Sequence, residues 1–542
     1  MGRCTLGSES VQSRAALPPL GSWLLLALLG CSATPVPTVP QAPDPDVIPA
    51  LPPLPAPDIP FQLKVQRLTA GAMPGLHSMI VVPFEDKLVL MGGRTNGLHG
   101  FPGQSRATAN PSFPRPQAND RAYLVQQSTG EVLASASVLG LPPNVAQQLT
   151  ASNTQFAVSS DGVLIVAGGY GYAPSGEGML TLQQAMAVSV ADLAAAIQGN
   201  ALNAQFAASS IYVGNNPALA VTGGSLQPAD PLNQPGFLLI FGQQFDGVYS
   251  TGGGVAVQTY SESVRQFTFT PGASGTTSGK ATGALQVNLV AIEPPISRDR
   301  PPEATQQYHR RDLTVLPLLS PTGAERIAAL GGVFVPGQMA GFVNPVLIDA
   351  APSNPGFSLR VDKAATQWMS QYETAALPIH SQREQATYVT LFGGISQYYW
   401  KDGKLAHDAP NFNIDPPVDG LPFINSISTL KMLPTSTAQF LHDGQAFPPA
   451  GLEPACGSEG RAAPYLGAET VFVPNANALD QNGYIQLDAI QRPTVVGYLV
   501  GGIAAIAPYP GDQTCASTSY YEVTLIPNQA TTSVRLQAPG AG

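Results

Sequence analysis

The stretch KLVLMGGRTNG, Lys87 to Gly97, is an apolar run cut off by two adjacent glycines. Taken alone it is ambiguous, because glycines after a strand serve phosphate-cradling loops and plain chain reversals alike. Its recurrence decides the matter. LVLMGG (Leu88 to Gly93), LIVAGG (Leu164 to Gly169), LLIFGQ (Leu238 to Gln243), IAALGG (Ile327 to Gly332), VTLFGG (Val389 to Gly394) and GYLVGG (Gly497 to Gly502) all end strand-like apolar runs. Five copies keep both glycines, and in the third Gln243 stands in place of the second. A unit repeated this way predicts an all-β array of similar sheets rather than a single ligand loop.

Composition agrees. Gly (55) and Pro (53) together make 108 of 542 residues and charged residues only 11%, a balance that favours short strands and tight turns over long charged helices. The net charge of −10 has no basic cluster within it, which argues against a nucleic-acid partner, since phosphate binding depends on Lys and Arg.

The repeat resembles the kelch unit, four strands of a β-propeller blade with a double glycine closing the second. Further segments fit that resemblance: HSMIVV (His77 to Val82) and TQFAVSS (Thr154 to Ser160) ahead of the glycines, NDRAYLV (Asn119 to Val125) and NSISTLKM (Asn425 to Met432) after them, and Trp368 followed by LPIHSQR (Leu377 to Arg383). It covers residues 61–530 and implies a six-bladed kelch-like β-propeller with long inter-strand loops. Seven blades are the alternative, with ALAVTGG (Ala218 to Gly224) as the extra candidate. The first glycines, at 92, 168, 242, 331, 393 and 501, are 62 to 108 residues apart, so loops must absorb the excess over the ~50 residues of a kelch unit. FQLKVQRL (Phe61 to Leu68) and YYEVTLI (Tyr520 to Ile526) alternate as strands and are expected to pair, closing the ring. One helix is expected, capped by Asp192 and ended by Gly199.

The first 60 residues read differently. Arg3 and Arg14 precede WLLLALLG (Trp23 to Gly30), too short to span a bilayer, and Leu28 to Cys31 resembles a bacterial lipoprotein cleavage box. Residues 1–30 are thus expected to be a signal peptide and Cys31 the lipidated residue, with Ser32 matching outer-membrane sorting. Eleven prolines between Pro35 and Pro60 make residues 31–60 an extended spacer. The remaining even pair, Cys456 and Cys515, is expected to form a disulfide in an oxidising compartment. Residues 531–542 are expected to be a flexible tail.

No catalytic constellation stands out. SGTTSGKAT (Ser274 to Thr282) lacks the first glycine of a phosphate loop and has Ala281 where a magnesium ligand belongs, so it reads as a surface turn. The six histidines, His77, His99, His309, His380, His407 and His442, are each alone in their segments, and no metal or other cofactor is expected. Binding residues are sought in the loops after the glycines: Arg94, Asn96 and His99 in the first, Tyr170 and Tyr172 in the second, and Tyr398, Tyr399 and Trp400 in the fifth. The expected function is a membrane-tethered, monomeric binding or scaffold module for a protein or glycan. The alternative implied by the kelch resemblance is a carbohydrate-active enzyme, a sugar mutarotase or a copper radical oxidase.

Overall fold

The computed structural model describes residues 58–69, 73–99, 113–173, 178–247, 256–272, 283–294, 306–351, 356–414, 416–451, 456, 462–511 and 513–539. All lie in one compact unit, Ala56–Gly542. The signal segment, Cys31, the spacer up to residue 57 and Ser274 to Thr282 fall outside the described residues, while Ile59, at the end of the expected spacer, is buried in the core.

The fold is all-β, with three short helices among the described residues. Its first sheet has the strands Ile80–Phe84, Lys87–Met91, Arg121–Gln126 and Val132–Ser137 in chain order. The same meander recurs from Gln155–Val158 to Ile211–Asn215, from Ser225–Pro228 to Gly283–Glu293, from Thr314–Leu319 to Phe357–Val361, and from Ala376–Ser381 to Ser436–Ala446. The second and third meanders merge into one eight-stranded sheet, because their outer strands pair in parallel at Tyr212 with Gly283 and Val213 with Ala284. In the last sheet, Val471–Pro474, Thr494–Val500 and Tyr520–Pro527 are completed by the N-terminal strand Phe61–Leu68. That strand pairs antiparallel with Tyr520–Pro527 through eight residue pairs, from Phe61 opposite Pro527 to Leu68 opposite Tyr520.

The apolar runs explain how these sheets stack. Val89 and Met91 pack in one cluster with Leu164 and Val166 of the next meander, while Leu88 and Leu90 pack in another with Val473 and Tyr498 of the last sheet. A strand buried on both faces must be apolar at every position rather than at alternate ones. The same division continues around the molecule. Ile165 and Ala167 meet Leu239, Ile240 meets Ile327, Ala328 meets Val389, and Tyr388 meets Val523. Sheet therefore packs on sheet, and the last returns to the first.

The glycines do a backbone job. In the five intact copies the first has φ between +58° and +65° and the second between +76° and +98°, conformations that disfavour side chains. Space is short as well: a Cβ on Gly93 would stand 2.2 Å from the His77 carbonyl oxygen. The third copy is shifted by one residue relative to its sequence alignment. Phe241 (φ 53°) takes the first conformation and Gly242 (φ 83°) the second, so Gln243 replaces neither glycine. ALAVTGG is not a further copy, because it precedes the strand Ser225–Pro228 instead of following a second strand.

Three other expectations are corrected. The helix Val190–Gln198 is capped by Ser189, whose hydroxyl accepts from the Asp192 N–H; Asp192 lies inside the first turn, where its charge suits the helix dipole. Two more helices, Pro143–Leu149 and Ala204–Ser210, accompany it. Within the expected tail, Ser533–Arg535 adds a fifth strand beside Ser436–Ala446, and Leu536 is buried. Cys456 and Cys515 are joined by a disulfide spanning 59 residues.

Candidate functional site

Each meander begins with a residue in the left-handed region, just before its first strand. They are Ser78 (φ 51°), Asn153 (48°), Gly223 (63°), Asp312 (51°), Glu373 (49°) and Glu469 (55°). Their backbones meet. The Asn153 N–H donates to the Ser78 carbonyl at 3.1 Å, Asp312 to Gly223 at 2.7 Å, and Glu469 to Glu373 at 2.5 Å. Side chains link these pairs: the Thr222 hydroxyl donates to the Asn153 carbonyl, the Thr314 hydroxyl to the Thr374 carbonyl, and the Ser78 hydroxyl to the Glu469 carboxylate. The result is a closed circle of six residues, three of them acids.

Two cavities meet at this circle and share Ser78, Asn153, Glu373 and Glu469 in their walls. The larger, about 450 Å³, runs along the first strands toward Pro317, Pro378 and Pro474. The smaller, about 50 Å³, lies on the side of the double glycines and is lined by His77, Leu98, His99, Phe113, Arg311 and Phe334 among others. The segment after the first double glycine bounds it. Asn96 bridges to Cys515, and the Leu98 N–H donates to the Thr514 hydroxyl at 2.9 Å. Gly97 lies so close that a Cβ there would be 2.2 Å from Thr514 Oγ1.

The three acids have different surroundings. Glu469 Oε2 accepts from His77 Nδ1 at 2.6 Å and from Ser78. Burial pushes the Glu469 carboxyl up, but the charge and hydrogen bond of His77, with Ser78, outweigh it and hold the group below the usual glutamate range. Asp312 sits 3.4 Å from Arg311 Nε, yet burial raises it to about 6. Glu373 makes no hydrogen bond through its carboxyl to any described residue; burial, then repulsion from Glu469 and Asp312, raises it well above its ordinary value. His77 is 4% exposed, and its Nε2 has no hydrogen-bond partner.

The residues singled out in the sequence lie in two separate groups. Arg94 is buried; its Nε donates to Asn96 Oδ1 at 2.9 Å, an η-nitrogen donates to the Pro114 carbonyl at 2.8 Å, and the guanidinium lies 4.9 Å from the centre of the Phe113 ring. Tyr170 packs edge-on against Phe113 and Phe245, Tyr172 donates to the Phe113 carbonyl, and His99 lies over Phe113. Of the residues singled out in the sequence, His99 lines the smaller cavity at the acid circle, while Tyr172 lines a separate groove of about 810 Å³ beside the helix Pro143–Leu149. Tyr398, Tyr399 and Trp400 form the other group, half-buried against Met369, Ile424 and Leu536, with the Tyr399 hydroxyl donating to Asp408 at 2.9 Å. Sequence reasoning missed the circle. Its residues are of four chemical kinds, and their distance to the next double glycine varies from 14 residues (Ser78 to Gly92) to 32 (Glu469 to Gly501), as the turn between the first two strands varies.

No family model matches the chain, and no curated protein matches it. Among solved structures, it is similar to a chain of RAG in complex with one melted and one unmelted RSS, at 11% identity over 84% of this chain and 99% of that one, with a TM-score of 0.35. It is also similar to a fungal alcohol oxidase of the AA5 family in complex with copper, at 10% identity over 89% of this chain and 100% of that one (TM-score 0.31). The NanB sialidase of Streptococcus pneumoniae gives 8% identity over 85% and 70%, with a TM-score of 0.25. Likenesses of this size assign neither a family nor an activity to the chain.

Proposed function

We propose that the chain is a six-bladed kelch-type propeller, tethered to the bacterial outer membrane through Cys31 and its proline-rich spacer, that binds a ligand in its central channel. Counting each half of the eight-stranded sheet as a blade gives six, and the circle of six left-handed residues supports that count. One observation carries the binding reading. Glu373 of the circle lines both cavities with a carboxyl that makes no hydrogen bond to any described residue, whereas Arg94, Tyr170 and Tyr398 to Trp400 are spent on internal contacts.

The test is a glycan array and an envelope-protein pull-down with the wild type and two variants. Ser225→Trp fills the larger cavity from its wall. It is expected to abolish binding at an unchanged melting temperature, while replacing Tyr398, Tyr399 and Trp400 together lowers stability and spares binding. Binding that survives Ser225→Trp but not the triple replacement would return the site to the loops.

A carbohydrate-active enzyme is the second reading, favoured by one pair. Glu469 is held below the usual glutamate range and Glu373, in the same circle, is pushed well above it, a separation of the kind that acid–base catalysis uses. A sugar-epimerisation assay that is unchanged by Glu373→Gln and by Glu469→Gln would dispose of it.

A further inference from the structure

We propose that the circle is the receptor for the ammonium head of a small organic amine, whose body lies in the larger cavity; this rests on the channel-binding reading. The groups presented are acceptors. Asp312, Glu373 and Glu469 follow one another around the circle, and the Asn153 side chain adds an amide oxygen. The Glu469 carboxylate engages His77 Nδ1, and the buried His77 Nε2, which lines the smaller cavity, has no hydrogen-bond partner. An ammonium group, with three donors and no acceptor, complements such a lining.

Size and charge agree with this assignment. A cavity of about 50 Å³ accommodates a head group little larger than a water molecule, whose share of liquid volume is ~30 Å³. The 450 Å³ cavity below it suits a body of monosaccharide size. Arg311 is the cation that would oppose the ligand, but Asp312 pairs with it and its guanidinium lies 5.1 Å from the centre of the Phe334 ring. Glu469 is likewise paired with His77, so Glu373, whose carboxyl makes no hydrogen bond to any described residue, is the acid left to ionise against an incoming positive charge. A metal ion answers the lining less well, since among the described residues no group of three or more His, Cys, Asp or Glu side chains could hold one.

Titration calorimetry on the full chain with matched probes tests the assignment: glucosamine against glucose, and n-pentylamine against pentan-1-ol. The amines are expected to bind saturably and their hydroxyl partners at least tenfold more weakly. Glu373→Gln is expected to weaken amine binding at least tenfold without lowering the melting temperature. Equal binding of amine and alcohol, or an unaffected Glu373→Gln, would overturn the ammonium assignment while leaving channel binding intact, provided that Ser225→Trp still blocks both probes. No binding of any probe would also overturn it, and the channel reading would then stand or fall on the array alone. The comparison within each probe pair uses wild-type protein and so holds even if a variant misfolds.

Discussion

At the scale of single residues, the left-handed backbone of the acid circle is the informative feature. Gly223 adopts it freely, but Ser78, Asn153, Asp312, Glu373 and Glu469 hold it with side chains, at a cost of ~1 kcal/mol or more each. Such strain persists where a side chain is needed in place. Glu373→Gly is therefore expected to stabilise the protein by ~1 kcal/mol in urea denaturation while removing ligand binding. The acid's protonation gives a second expectation. Its folded value is raised, so its contribution to stability is complete below the unfolded glutamate value and is lost as pH rises through the folded one. Glu373→Gln removes that loss. Its melting temperature is expected to match the wild type at pH 4 and exceed it at pH 8, and equal gains at both would show that Glu373 is already solvated. None of this was legible in the sequence, because what unites Ser, Asn, Gly, Asp and Glu here is a dihedral angle rather than a chemistry.

At the scale of elements, the glycine repeat was legible and the use of its loops was not. The run before each double glycine is apolar at every position because both faces are buried, a pattern that composition alone exposes. Whether Arg94 and Asn96 face outward or fold back depends on Pro114, 20 positions on, for the first and on Cys515, more than four hundred positions away, for the second. Gly97, Leu98 and His99 line the smaller cavity, and Asn96 just before them is seated on the strand Thr514–Ala516. Gly97→Ala pushes a methyl group into Thr514 and is expected to cost ~1–3 kcal/mol, with faster amide exchange confined to residues 94–99. The offset in the third repeat has a similar origin: Phe241 fills a core position that its neighbours on either side demand, and the turn shifts by one residue to allow it.

At the scale of the whole molecule, the expected pairing of the chain's two ends is what the structure contains. Phe61 and Leu63 enter the core between the last two sheets, and the Phe61 ring meets Tyr388 edge-on at 5.3 Å. Phe61→Ala is expected to cost ~3–5 kcal/mol, and removing residues 58–68 to leave Tyr520–Pro527 as a bare edge that drives association, visible as dimers or larger species in sedimentation. The same closure makes the protein a directional latch under load. Phe61 faces Pro527, so force applied between Asp58 and Asn528 meets the eight pairs one at a time, like a zip. Force applied between Asp58 and Ser519 runs along the strands and loads all eight together. Single-molecule pulling with anchors at these positions should give rupture forces several times higher in the second geometry, so a chain held by its N-terminus would resist a pull along that strand and yield to one across it.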